Sequence, residues 1–359
     1  HKSHWHTVVP ARVSSLSHSS ETDGPIPPSR PIPDVHLPRA VQLGAGSLYA
    51  AAATAFVALA VLHLGDPIPA PFALATAGLA GTITVDAGRR EFRNALFGET
   101  VEAAHLQRRD VADALAVLVA GPLTYSLSVS LGQGAVVASA LVGLVAALTV
   151  GEQAAPAYCG SFVGMASTAV FPALAPVVAA SAVAAVVYVL AKRVFGGFGG
   201  KLGTTAFVGC AAVVLPTSYT YAPASVLEPA LASAAIVAAT VGAIVAFLLS
   251  VRAGHGAVVG SAAVGLVAGL LAPPALGSEL GGAVATAAFA GSFVGMVSET
   301  RLPSLTLVTL AGLLSGVVFV GVGPSVGGSG GKLGTIAFTA CLLTWAVDTA
   351  LDDPDWLGH

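Results

Sequence analysis

Long apolar stretches separated by short turns with glycine or proline fill the chain from about residue 41 to residue 350. Many of these stretches approach or exceed the about 20 apolar residues with which an α-helix crosses a bilayer. The alternation of apolar and polar positions that marks a membrane β-barrel is missing, and backbone groups in lipid must then be hydrogen-bonded within helices. The pattern predicts an all-α polytopic membrane protein.

Three pairs of similar segments divide most of this region into two repeats. The longest pair agrees at 11 of 15 positions and the second at 13 of 17 positions, while the third is an identical hexapeptide, Gly-Ser-Phe-Val-Gly-Met. The pairs are 196–210 with 327–341, 132–148 with 254–270, and 160–165 with 291–296. Because each repeat contains five apolar elements, an odd number of crossings predicts that the second repeat is inverted relative to the first.

About 12 transmembrane helices are therefore predicted, two near the amino terminus, at about 43–64 and 71–88, and five in each repeat. The third element of each repeat is predicted at about 159–174 and 283–298. The predicted domains are a polar cytoplasmic N-terminal arm (1–40), two transmembrane helices and a basic cytoplasmic loop (41–109), repeat 1 (110–216), an external linker (217–229), repeat 2 (230–348) and an acidic C-terminal tail (349–359).

Charge supports this layout. Only 9% of the 359 residues are charged and 55% are hydrophobic, whereas soluble domains carry about 25% charged residues. With the amino terminus inside and each element crossing once, 14 of the 15 lysines and arginines fall on the cytoplasmic side, and only Lys332 falls outside. We expect a multi-pass protein of a prokaryotic cell membrane with both termini in the cytoplasm. The net charge of -3 is uninformative about nucleic acid, but no basic patch of useful size exists, so we expect no nucleic-acid partner.

Lys201 and Lys332 are the first candidate site residues. Each follows a Gly-Gly-x-Gly-Gly run and opens a predicted helix. Free backbone N–H groups, the positive end of the helix dipole and a lysine together suit a small anion. The run is not a phosphate-binding Walker motif, since leucine stands where that motif needs serine or threonine. The alternative interpretation is a flexible turn whose lysine reaches the membrane interface.

The hexapeptide pair supplies the second set of candidates. Its glycines have the spacing that lets helices approach closely, so helix packing alone would explain it. If the two segments instead meet between the repeats, their serines, phenylalanines and methionines could line a solute path, with threonines of the glycine–lysine segments nearby. The predicted substrate-binding residues are Ser161, Phe162, Met165, Lys201, Thr204, Ser292, Phe293, Met296, Lys332 and Thr335.

Two function classes remain open. The first is a transporter or channel for a small solute, with a site between inverted repeats; the second is a non-transporting subunit or scaffold of a larger membrane assembly. We expect no enzymatic activity, because paired carboxylates and Ser/His or Cys/His constellations are lacking, and we expect no metal or other cofactor. The expected partners are the lipid bilayer and a small-molecule solute, with a homo-oligomer or a larger membrane complex also open.

Overall fold

The computed structural model describes residues 39–64, 81, 88–90, 106–222 and 227–352. Within these ranges the chain forms eleven α-helices, and the only β-pairing is an isolated bridge between Ala222 and Gly327. The helices are α1 (Arg39–Leu64), α2 (Arg108–Val129), α3 (Ala135–Thr149), α4 (Ala154–Val163), α5 (Leu174–Leu190), α6 (Lys201–Val214), α7 (Pro229–Phe247), α8 (Ala257–Leu276), α9 (Ser278–Val294), α10 (Leu305–Val322) and α11 (Lys332–Asp352).

Six of these helices are long and apolar enough to cross a membrane, namely α1, α2, α7, α8, α10 and α11. Three shorter apolar helices, α3, α5 and α6, accompany them. Large apolar side chains such as Val119, Leu148 and Leu215 are exposed on the outer surface. Exposed apolar surface on this scale is costly in water and favourable in lipid. The fold fits a polytopic integral membrane protein.

Most predicted elements coincide with helices, but the third element of each predicted repeat has different bounds. Helix α4 ends at Val163, eleven residues before the predicted limit of 174, and α9 ends at Val294, four residues before the predicted limit of 298. In both places the chain turns and bonds to the opposite group: Ser167 N donates to Gly328 O at 2.9 Å, and Ser298 N donates to Gly197 O at 2.9 Å. The predicted arm 1–40, helix 71–88 and tail 349–359 lie wholly or mostly outside the described residues.

The helices fall into two groups of five with matching contacts. In the first group α2 packs against α4 and α5, and in the second α7 packs against α9 and α10. Small residues permit the close approach. Gly160 of α4 lies against the carbonyl of Val117, and Gly291 of α9 lies against the carbonyl of Ala239. Equivalent glycines of the repeated hexapeptide therefore make equivalent backbone contacts.

Helices α6 and α11 form the first seam between the groups. Gly203 and Gly334 lie backbone to backbone where the helices cross, and Gly200 lies beside the backbone of Phe338. The residue numbers thus rise along one helix as they fall along the other, which means that α6 and α11 run antiparallel at the crossing.

A second seam joins α3 and α8 in the same sense. A Cβ built on Gly265 would lie 3.2 Å from the Cβ of Ala140, and one built on Gly269 would lie 2.7 Å from a methyl of Val137. Here too the contacts ascend along one helix and descend along the other. Both described seams between corresponding helices are therefore antiparallel.

Charged side chains link several helix termini at one end of the bundle. Lys192, just after α5, lies 2.7 Å from Asp110 at the start of α2. The Lys201 ammonium at the start of α6 donates to the carbonyl of Lys192 at 3.3 Å. The same end contains Arg109 with Glu152 at 3.5 Å, and Arg301, which donates to the carbonyl of Gly196 at 2.9 Å. These contacts place four basic residues at one end.

Candidate functional site

Both glycine–lysine segments form a tight turn that leads directly into a helix. Gly200 and Gly331, the last residues before α6 and α11, have φ of 78° and 76°, in the left-handed region that favours glycine. A Cβ at either position would also meet the backbone of the partner helix. Glycine is therefore required here both by the backbone conformation and by the close approach of α6 and α11.

The hexapeptides meet through their aromatic rings. Phe162 of α4 and Phe293 of α9 have ring centroids 4.6 Å apart. Tyr158 packs on Phe162 at 4.4 Å, and Phe289 packs on Phe293 at 4.6 Å. All four rings are buried. The two phenylalanines, predicted to line a solute path, belong in this structure to a closed aromatic cluster between the two groups.

The hexapeptide serines bond within the helix packing. Ser161 Oγ donates to the carbonyl of Tyr158 at 2.7 Å and lies 2.8 Å from Ser139 Oγ. Ser292 makes the matching bond to the carbonyl of Phe289 at 2.7 Å and lies 2.8 Å from Ser261 Oγ. Both serines are fully buried. Their hydroxyls therefore tie α4 to α3 and α9 to α8.

The remaining predicted polar residues also have local partners. Thr204 donates to the carbonyl of Gly200 at 3.2 Å, and Thr335 donates to the carbonyl of Gly331 at 3.3 Å. Met296 is partly buried against the core. Neither these residues nor the two serines line the pocket described below.

The two lysines differ in their surroundings. The Lys201 ammonium donates to the carbonyl of Ala191 at 2.8 Å and, more weakly, to that of Lys192, so it caps the end of α5. Lys332 is largely buried, yet within the described part of the chain its ammonium has no hydrogen-bond or ion-pair partner. An ammonium in such a place is costly unless it meets an acceptor. Lys332 is thus available to a ligand in a way that Lys201 is not.

A pocket of about 190 Å³ lies where the groups meet, next to Lys332. Four predicted site residues line it: Phe162 and Met165 from the first group, and Phe293 and Lys332 from the second. Backbone of the glycine turn completes one wall. The structure therefore brings together four of the ten predicted residues at one site, with both groups contributing.

Two pocket residues were missed by the sequence reasoning. Ser329 and Thr286 add hydroxyls to the lining, and their counterparts in the first group are Phe198 and Ala155. Phe198 is buried, and the Arg301 guanidinium lies 4.5 Å from its ring centroid. A large side chain thus occupies the position that corresponds to Ser329. The difference between Phe198 and Ser329, inside otherwise identical Gly-Gly-x-Gly-Gly runs, was the sequence signal that could have pointed to Ser329.

The linker between the groups is described up to Ala222 and from Leu227. Ala222 N donates to Gly327 O at 2.9 Å, and the Tyr221 ring stacks on Phe207 with centroids 6.5 Å apart. Burial raises the pKa of Tyr221 to about 12. The first part of the linker is therefore held against the second glycine turn.

Metal-binding side chains do not gather in the described ranges: no group of three or more His, Cys, Asp or Glu residues there could hold an ion. Cys159, Cys210 and Cys341 are free and buried. Buried thiols of this kind behave as small apolar residues. The chemistry that the pocket offers comes from Lys332, two hydroxyls, backbone groups and aromatic surface.

Comparison of the chain with protein-family models, with curated proteins and with solved structures finds no match. The candidate site is therefore interpreted from its geometry.

Proposed function

We propose that this protein is a non-enzymatic transporter or channel that moves a small solute, with its site between two inverted five-helix repeats. The observation that carries the proposal is the pocket beside Lys332, to which both groups of helices contribute. Many membrane transporters bind their substrate at the interface of two repeats, often next to broken helices. The early ends of α4 and α9, both at the interface, agree with that arrangement.

The inverted arrangement draws support from the two seams. A pair of repeats related by an axis in the membrane plane must place corresponding helices antiparallel. The contacts of α6 with α11 and of α3 with α8 have this sense. We propose twelve crossings, in which α4 and α9 together with the turns that follow them each complete one crossing.

Orientation follows from charge. The end that collects Arg109, Lys192, Lys201 and Arg301 is proposed to face the cytoplasm of a prokaryotic cell, since basic residues accumulate on that side. Both termini would then be cytoplasmic. Lys332 begins α11 two residues before its crossing with α6, and α11 runs antiparallel to α6, so the pocket is proposed to lie close to that crossing and to open toward the outer side.

A second candidate function, a non-transporting subunit or scaffold, is favoured by the closed interior. The Gly203–Gly334 crossing and the four-ring cluster leave little free space along the seam. A transporter in an outward-open state would close its inner side in the same manner. The two candidates therefore differ in whether solute passes at all.

Flux measurements separate them. The full chain is reconstituted in liposomes and assayed for uptake of a panel of small anions and neutral solutes, with and without a sodium gradient. Transport predicts saturable uptake above protein-free vesicles for at least one solute and a loss of at least about tenfold for Lys332→Met. Folded protein that moves none of the panel would favour the scaffold.

A further inference from the structure

We propose that the pocket binds a small organic monoanion with a short apolar tail, such as a monocarboxylate. This inference rests on the site of the proposed function but names its ligand class. The pocket has one cationic, hydrogen-bond-donating end and one apolar end, and each selects for a different part of such a ligand.

The charged end is formed by the start of α11. Thr335 N donates to Gly331 O at 3.1 Å, which begins the helical bonding. The N–H groups of Lys332, Leu333 and Gly334 therefore have no acceptor within the helix, and all three residues line the pocket. The largely buried Lys332 ammonium adds a positive charge and has no partner in the described chain. A carboxylate would satisfy both kinds of donor.

The apolar end is formed by the closed aromatic cluster. Phe162, Phe293, Met165 and Val136 line it. These side chains suit a few methylene groups, whereas an inorganic ion such as chloride has no apolar part to place against them. None of the lining residues is a carboxylate, so the site offers no counter-charge to a cationic ligand.

The size of the pocket sets the length of the tail. An apolar cavity of about 150 Å³ accommodates benzene. The volume of about 190 Å³ therefore has room for a carboxylate with a tail of a few carbons. The corresponding position in the first group is occupied by Phe198, while Lys201 is engaged with backbone carbonyls. One ligand per chain is expected.

Binding is tested by calorimetry on the full chain in detergent, with sodium butyrate, sodium chloride and butylammonium sulfate as probes. We expect butyrate to bind with a stoichiometry of one and at least about tenfold more tightly than chloride, and butylammonium not to bind. Butylammonium binding as tightly as butyrate, or no butyrate binding by folded protein, would overturn the assignment.

Two variants alter the site by different means. Lys332→Met removes the charge, and Ser329→Phe fills the pocket with the side chain found at position 198; each should weaken butyrate binding at least about tenfold. Arg252→Met, which removes an exposed positive charge outside the pocket lining, is the matched control and should bind as the parent does. Melting curves identify any variant that fails to fold. If Lys332→Met does not fold, the butyrate affinity of Ser329→Phe tests the proposal in its place. Unchanged butyrate affinity in either folded pocket variant would contradict the proposal.

The binding and flux experiments test the ligand class and the transport function independently. Butyrate bound at Lys332 without flux of any solute would refute transport and leave the ligand class intact. Flux of another solute without butyrate binding would refute the ligand class and leave transport intact.

Discussion

Lys201 and Lys332 show that the immediate surroundings of a residue decide its role. The two segments that contain them are almost the same in sequence, and both lysines begin a helix. Lys201 caps the carbonyls at the end of α5, whereas Lys332 lines a pocket. Lys201 therefore serves to cap a helix end, and the anion-site interpretation stays a proposal for Lys332 alone.

Another difference at the residue scale concerns Tyr158, whose counterpart is Phe289. The Tyr158 hydroxyl lies 3.0 Å from Ser261 Oγ, which lies 2.8 Å from Ser292 Oγ. The first group thus reaches across to a serine pair of the second group. Buried hydroxyls need partners, so the cost of a substitution depends on which of these three hydroxyls it removes.

We predict that Tyr158→Phe lowers the free energy of unfolding by about 0.5–1 kcal/mol, the usual scale for a hydrogen bond between membrane helices. Ser261→Ala should cost more, about 1–3 kcal/mol, because it leaves the buried Tyr158 hydroxyl without its partner. Adding Tyr158→Phe to Ser261→Ala should recover part of that loss. Denaturant unfolding in detergent measures all three, and equal costs for the two single variants would contradict the order.

At the scale of elements, hydropathy located most helices but not the ends of α4 and α9. Gly164 and Gly295 follow Val163 and Val294 directly, and Pro172 and Pro303 come later, so the sequence offers more than one place for each helix to end. In the structure each helix ends at the glycine, and Ser167 and Ser298 then bond to the glycine turns of the opposite group. Such partners lie far away in sequence, so a local pattern does not contain them.

Helix glycines give the second prediction. Gly334 of α11 lies against the backbone of Gly203, whereas Gly282 of α9 has no atom within 4 Å of a built Cβ. Gly334→Ala should lower the free energy of unfolding by about 1–3 kcal/mol, because two backbones must separate. Gly282→Ala is the matched control and should be neutral or stabilise by up to about 1 kcal/mol through helix propensity. Melting curves in detergent compare them; equal shifts would show that the crossing is not tight.

At the scale of the whole molecule, two similar groups of helices produce one asymmetric site. Matching contacts recur in both groups, but the pocket beside Lys332 has Ser329 where the first group has Phe198. Under the proposed inversion the cytoplasmic side is closed by an aromatic ring and the outer side is open. A small number of sequence differences between the repeats would thus make the two sides of a nearly symmetric protein different.

The proposed inversion predicts where two exposed hairpin residues lie. Gln133 precedes α3 and His255 precedes α8, at corresponding positions. In intact cells, Gln133→Cys should react with a membrane-impermeant maleimide, and His255→Cys should react only after permeabilisation. The three native cysteines are buried and serve as the unreactive background. Labelling of both positions from the same side would exclude inverted repeats.

The sequence by itself determined the helical class and the approximate bounds of most described helices, because apolar length is a property of the chain alone, and its internal similarity predicts two repeats of five helices. It also placed Phe162, Met165, Phe293 and Lys332 among the candidates. Only the tertiary structure decided that these four line one pocket while Ser161 and Ser292 bond within the helix packing. The reason is physical: a side chain's role depends on which donors, acceptors and surfaces the fold brings within a few ångströms of it, and those come from distant parts of the chain.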